Sequence, residues 1–383
     1  MQALLSQIAR HLHESTAPLP GVVVGFDGFV DEMISVVAER QSLDAFLPVP
    51  DIATFGRLVT AAAGHSSLRE IVVTAVHPGG CAINLGDGLA ALGVPVEAFA
   101  TLGEPPHRAF TPVIAQFRQC HSWGQEPGRT LAMEFRDGKL MFSAVRQLAN
   151  FDPQLVAGKL ADGTYAASCT GAGLIALTDW TLFPHMTAVW RLLQERVFST
   201  LTHRPAFFVD LVDPSSRSEG DIRAMTAALA GFEAAGPLTL GLNHNEANIL
   251  TRVLGLPATG EDPGAVLEQA EQLRQQLAIS EVVVHCLKFA VSAQRGGGVT
   301  VKGSYCAQPK KSTGAGDRFN AGFCLGSLLG LEASGRLALG CAASSFFIRN
   351  GRSANRAELA AFLERDYLAL DEGGPASSPQ IMR

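Results

Sequence analysis

Paired cysteines, membrane-length apolar runs and basic clusters are all missing from this chain of 383 residues. Its seven cysteines lie scattered at 81, 120, 169, 286, 306, 324 and 341, with no C-x-x-C spacing among them. That argues against a disulfide framework or a cysteine zinc site and for reduced thiols. No basic run with interleaved aromatics occurs and the formal charge is −6, so neither nucleic acid nor an anionic membrane is an expected partner. The G-x-x-x-x-G-K-[ST] phosphate loop and the protein-kinase catalytic set are absent too. The N-terminus mixes Gln2, Ser6, Arg10, His11 and His13 with apolar residues. It reads as an amphipathic helix and not as a signal peptide, so a cytoplasmic protein is expected.

What the chain does have is bulk and rhythm. At 47% hydrophobic it can bury a large core. Short β-branched runs at Val22-Val23-Val24-Gly25, Ile71–Val76, Phe207–Asp210 and Val282–Val284 read as buried strands, with Leu174–Thr178 and Thr239–Leu242 weaker. Helical stretches at Leu85–Leu92, Met186–Phe198, Ile222–Ala235, Gly264–Leu277 and Ala321–Leu329 lie between them. The alternation predicts an α/β fold, a doubly wound, mainly parallel sheet with helices on both faces. Thr130–Phe135 and Leu140–Ser143 flank Asp137-Gly138, a hairpin signal that interrupts the rhythm. Residues 29–47 and 121–145 are therefore expected to form a small β lid, with 1–28, 48–120 and 146–370 the main domain. A Gly-, Pro- and Ser-rich tail, 371–383, is expected to be flexible.

Four places can carry chemistry. In Thr313-Gly314-Ala315-Gly316-Asp317 the glycines permit a tight turn that presents backbone N–H groups at the start of an apolar helix. The helix dipole adds to the same anion cradle. A carboxylate at its rim, Asp317, fits a proton acceptor for a hydroxyl attacking phosphorus; at an ordinary pKa near 4 it is a weak base. Gly79-Gly80 ends a predicted strand and Asn84 follows, offering both donor and acceptor to sugar hydroxyls. Asp27 and Asp31 stand just beyond the first strand, where parallel sheets open their ligand crevice. Asn243 and Glu246 open a helix and read either as organisers of a hydrated Mg²⁺ or as an N-cap with its first-turn acid. Gly86-Asp87-Gly88-Leu89-Ala90-Ala91 fits a dinucleotide fingerprint, but its glycines fall inside a helix, which argues against a dehydrogenase.

In this order, Gly79-Gly80-x3-Asn84, Asn243-x2-Glu246 and Thr313–Asp317 resemble the ribokinase-like (pfkB) carbohydrate kinases, over residues 20 to 360. The resemblance implies transfer of the γ-phosphoryl of ATP, with Mg²⁺, to a sugar or nucleoside under a β lid. It implies Asp317 as base and the Gly314, Ala315 and Gly316 backbone as anion hole. Asp27, Asp31, Gly79, Gly80 and Asn84 become substrate contacts. Asn243, Thr313 and the two cradle glycines become nucleotide contacts, and Glu246 with Asn243 organises the metal; after Val282–Val284 the chain lacks the family's Thr-Leu-Gly turn, and Lys288 is the expected substitute phosphate contact there. The 340–355 region is the expected adenine pocket, and lids of this kind often pair, so a homodimer is expected. Arg129 and Arg136 beside the hairpin could read a sugar phosphate. Many members place an Asp that helps hold a monovalent cation where this chain has Lys311. A K⁺ site is accordingly not expected: either the Lys311 ammonium replaces the ion or the side chain points to solvent. Gly25–Asp31 and Gly241-Leu242-Asn243 resemble the ADP-dependent sugar kinases as well, which keeps ADP open as the donor. The same residues are compatible with a nucleoside kinase and with a non-catalytic sugar-binding regulator on this fold.

Overall fold

The computed structural model describes residues 2–14, 17–365 and 367; the expected tail at 371–383 lies outside them. The first eight strands are β1 (Gly21–Phe26), β2 (Phe29–Arg40), β3 (Phe46–Pro48), β4 (Ile71–Gly79), β5 (Val96–Ala100), β6 (Gln119–Ser122), β7 (Gly128–Phe135) and β8 (Gly138–Ala144). The rest are β9 (Ala172–Leu177), β10 (Ala206–Asp210), β11 (Leu238–Asn243), β12 (Glu281–His285), β13 (Phe289–Gln294) and β14 (Gly297–Lys302). Nine of them form one sheet in the order β14-β13-β12-β11-β10-β9-β1-β5-β6. It is parallel from β12 through β6, with an antiparallel β13–β14 edge.

Successive side chains of these strands point to opposite faces. Val22 and Val24 join one buried cluster while Val23 joins the other, and Ile175 and Leu177 oppose Leu174 and Ala176. Both faces are covered, which is why the strands read as nearly continuous apolar runs. The chain runs from β1 to β5 and β6 on one side and returns to β9 on the other. The topological switch, where such sheets bind ligands beyond their strand ends, therefore lies at β1 and β9. Leaving β1, β9, β10, β11 and β12, the chain places Asp27, Asp179, Asp210, Asn243 and His285 along this one edge.

The other five strands form a second sheet, β3-β2-β7-β8 with β4 also paired to β2. The hairpin has the expected register, with Phe135 opposite Gly138. Two expectations need correcting. Ile71–Val76 is not a buried strand of the main sheet: β4 runs antiparallel to β2, and Ile71, Val73 and Val76 are exposed. Length and β-branching identify a strand but not the sheet it joins. In its place the main sheet takes β5, whose alanines and Glu97 hide the strand signal, and β6, part of which falls in the stretch expected for the lid.

Candidate active site

The glycine turn opens the helix Ala315–Leu328 as expected. Gly314 has φ 86°, left-handed backbone that a side chain rarely tolerates. A Cβ there would also lie 3.0 Å from Arg318 Nη1 and 3.6 Å from Asn84 Nδ2. The turn is thus packed against the expected substrate-contact helix, Cys81–Ala91. Within the turn the Ala315 N–H donates to the Ser312 carbonyl at 3.1 Å. That amide closes the loop.

Asp317 sits in the first turn of this helix and is 8% exposed. Burial pushes its carboxyl up to about 7; the negative charges of Asp210 and Asp27 push the same way, while Arg318 and the Cys81 thiol oppose. A carboxyl expected to titrate near 4 is thus held near neutrality. Asp210, at the end of β10, accepts from Asn320 Nδ2 at 2.7 Å and from the Val212 amide at 3.0 Å. Burial raises Asp210 and holds Asp179 well above the carboxylate range. Neither acid was singled out in the sequence, although each follows the same signal as Asp27, an acid where a parallel strand ends. His285 ends β12, its ring 5.0 Å from that of Phe319 and beneath Gly316. Burial lowers it to about 4, so it is neutral at pH 7.

Asp27 does not face the crevice. It is fully buried, its carboxylate accepting from the Cys81 amide, from the Ala82 amide at 2.8 Å and from the Thr178 hydroxyl at 2.8 Å. Burial raises it to about 6 despite those bonds. The carboxylate caps the Cys81–Ala91 helix and ties β1 to β9, so the expected sugar contact is replaced by a positioning role. Asp31 lies on β2, in register with His77 of β4 and Thr130 of β7. Its carboxylate fills the space over Gly79, where a Cβ would come within 2.3 Å of Oδ2. Burial raises it, against the Thr130 hydroxyl and the charges of Lys311 and Lys139.

Asn243 and Glu246 form a capping box at the start of the His244–Leu254 helix. Asn243 donates from its backbone N–H to Glu246 Oε2 at 2.8 Å and from Nδ2 to Oε1 at 2.7 Å. Both carboxylate oxygens are therefore engaged, and burial with Asp210 nearby pushes Glu246 up to about 8. Among the described residues no group of three or more His, Cys, Asp or Glu is arranged to hold a metal directly. Lys288 is exposed at the β12–β13 turn, its ammonium 5.5 Å from the Tyr305 ring centre. Lys311 does not point away into solvent: it is half-buried over the Phe347 ring, and burial with Arg318 nearby lowers it. Arg318 pairs with Asp87 and donates to Ser353 Oγ at 3.1 Å. Asn84, Asp87, Lys311, Arg318, Phe347 and Ser353 line a cavity of about 360 Å³, to which the 340–355 region contributes. Arg129 and Arg136 bond to Glu32 and to the Pro50 carbonyl.

The family model for prokaryotic ketohexokinase matches residues 2–367. The chain belongs to the prokaryotic ketohexokinase family. The ketohexokinase of Haloferax volcanii is 28% identical over 344 residues, covering 89% of this chain and 90% of that one. Solved structures of ribokinase share the fold: that of Thermotoga maritima at TM-score 0.62 and 15% identity, and that of Arabidopsis thaliana complexed with ribose and ATP at the same values. Each covers 91% of this chain, which spans 100% and 99% of them respectively. A nucleoside kinase of Methanocaldococcus jannaschii aligns at TM-score 0.56 and 12% identity. The chain is a carbohydrate kinase of ribokinase-like fold, a phosphotransferase. Among the described residues no helix is long and apolar enough to cross a membrane.

Proposed function

We propose that this kinase moves the terminal phosphoryl of ATP to a hydroxymethyl oxygen of a ketohexose, with Asp317 as general base. The observation that carries this reading is Asp317 itself: a buried carboxylate raised to about 7, in the first turn of a helix entered through a left-handed glycine. The acceptor oxygen forms a bond to phosphorus, the bond from phosphorus to the bridging oxygen of the donor breaks, and the hydroxyl proton goes to Asp317. The Gly314 and Gly316 backbone and the helix dipole face the charge that develops. Asp31, packed over Gly79, and Asn84, on the helix that follows Gly80, orient the sugar hydroxyls, and the second sheet covers them to exclude water.

Mg²⁺ fits the acids beneath the turn. Asp210, Asp317 and Glu246 repel one another in a buried setting, and a divalent cation relieves that repulsion. Since Mg²⁺ keeps several waters, Glu246 and Asn243 can hold it through them without breaking their capping box. When bound, it draws charge off the phosphates. Further parts of the reading are a cytoplasmic setting, in keeping with seven unpaired cysteines, and a homodimer through the second sheet. The sheet's Ile71, Val73, Val76, Met141 and Phe142 are 41–51% exposed.

The test is a panel of ketohexoses, aldoses and nucleosides with Mg²⁺ and either ATP or ADP, the products identified by ³¹P NMR. Phosphorylation of a ketohexose by ATP is expected. Exclusive use of ADP, or of nucleosides, would replace the reading.

A further inference from the structure

Lys139 stands on β8 directly opposite Glu134 of β7. Its side chain is 18% exposed, and its ammonium donates to Thr313 Oγ1 at 2.6 Å and pairs with Glu134 at 3.3 Å. Thr313 is the residue before Gly314, so through Lys139 the second sheet reaches the glycine turn. Lys139 also lies close enough to Asp31 and Lys311 for its charge to act on both. The ammonium thus stands between the acid that faces the acceptor and the turn that faces the donor.

Neither side chain in direct contact with that ammonium is a buried acid. Glu134 is 57% exposed, and an ion pair so open to water neutralises little. The Thr313 hydroxyl is a neutral partner, and the ammonium shares its influence on Asp31 with Lys311. A tether between hairpin and loop would need only a neutral hydrogen bond. An ammonium held from solvent beside an anion cradle is better matched to a phosphate oxygen.

We propose that Lys139 is a catalytic residue, its ammonium contacting the phosphoryl group in transit between the donor and the sugar oxygen. The proposal rests on the kinase reading above. The hydroxyl proton goes to Asp317, and the Lys139 side chain offsets charge on the equatorial oxygens. Because the cation is delivered by the second sheet, the sheet that covers the sugar also supplies charge stabilisation at the turn.

The experiment compares K139M, K139A, K139R and E134Q in full-length enzyme, folding being checked by thermal melts. K139M is expected to lower kcat by about 10²–10³, with KM for sugar and nucleotide within about threefold. K139R should recover part of the rate, and ethylammonium in the buffer part of the K139A rate. E134Q should stay within about twofold. A merely structural tether would raise the sugar KM, leave kcat near wild type and gain nothing from arginine or amine. That pattern, or an E134Q loss as deep as that of K139M, overturns the proposal. If K139M does not fold, K139R and the amine rescue decide. A wild-type enzyme that phosphorylates no sugar fails the kinase reading first, before any variant is compared.

Discussion

Across the glycine turn the two flanks of the site differ in sign. On the strand-end flank Asp27, Asp179, Asp210, Glu246 and Asp317 are buried, and burial raises every one of them. On the hairpin and loop flank stand Lys139 and Lys311, which both act on Asp31, while Arg318 follows Asp317 on its helix and pairs with Asp87. A core built for stability would interleave these charges, because uncompensated buried acids destabilise the fold. Under the proposed function, the excess of buried acids answers a cation and the two lysines answer an anion. Metal-bound phosphates present both: a divalent ion toward the acids and phosphoryl oxygens toward the lysines.

Removing the metal should break this comparison most deeply. Chelation with EDTA is expected to cut turnover by about 10³ or more, restored by Mg²⁺. An unchanged rate would mean that the acids serve no cation. Glu246→Gln should raise the Mg²⁺ concentration giving half-maximal rate by about tenfold, as loss of an outer ligand does; no change in a Mg²⁺ titration would return that pair to a helix cap alone. On the sugar side, Gly79→Ala forces Asp31 out of its place. A rise in the sugar KM of about tenfold is expected, with about 1–3 kcal/mol of stability lost. An unaltered KM would remove Asp31 from the sugar contacts.

A smaller effect sharpens the acidic half. Asp317 ionises at about 7 in the fold, against 3.8 for the ordinary group. Its folded state thus binds the proton more tightly, so stability falls as pH rises from about 4 through 7. Asp317→Asn should raise Tm at pH 8 by about 2–4 °C, equivalent to ~1 kcal/mol, with the gain fading toward pH 4. A uniform gain at all pH values would contradict the shift. Smallest of all is the effect of K⁺. With Lys311 half-buried and Asp31 acting on it, wild-type rates in potassium and tetramethylammonium buffers should agree within about twofold. Strong K⁺ activation would show that the lysine replaces nothing.

The sheet and the cradle were legible because their signals are local. Apolar runs mark parallel strands, and the glycine turn that opens the helix at Ala315 is written in five consecutive residues, Thr313–Asp317. Less legible was anything decided by what packs on top. Ile71–Val76 is as β-branched as a core strand, yet it belongs to the sheet with exposed apolar residues. Asn243 and Glu246 look alike as a cap and as metal organisers, and the structure shows that the cap is made. Asp27 ends its strand like a ligand-facing acid but turns inward to the Cys81 and Ala82 amides. Asp210 was readable in Phe207-Phe208-Val209-Asp210 as an acid closing a parallel strand. Lys139 was not, since its place depends on a hairpin docking 174 residues away in sequence.

The measurement that bears most directly on the account is kcat of Asp317→Asn beside wild type, with ATP, Mg²⁺ and the best ketohexose, across pH 5.5 to 8.5. Wild-type kcat/KM should fall below about pH 7, where the folded carboxyl takes up its proton. The asparagine variant should turn over about 10²–10⁴ times more slowly at an almost unchanged KM, without that limb. A variant within threefold of wild type, still showing the same acidic limb, would contradict the account.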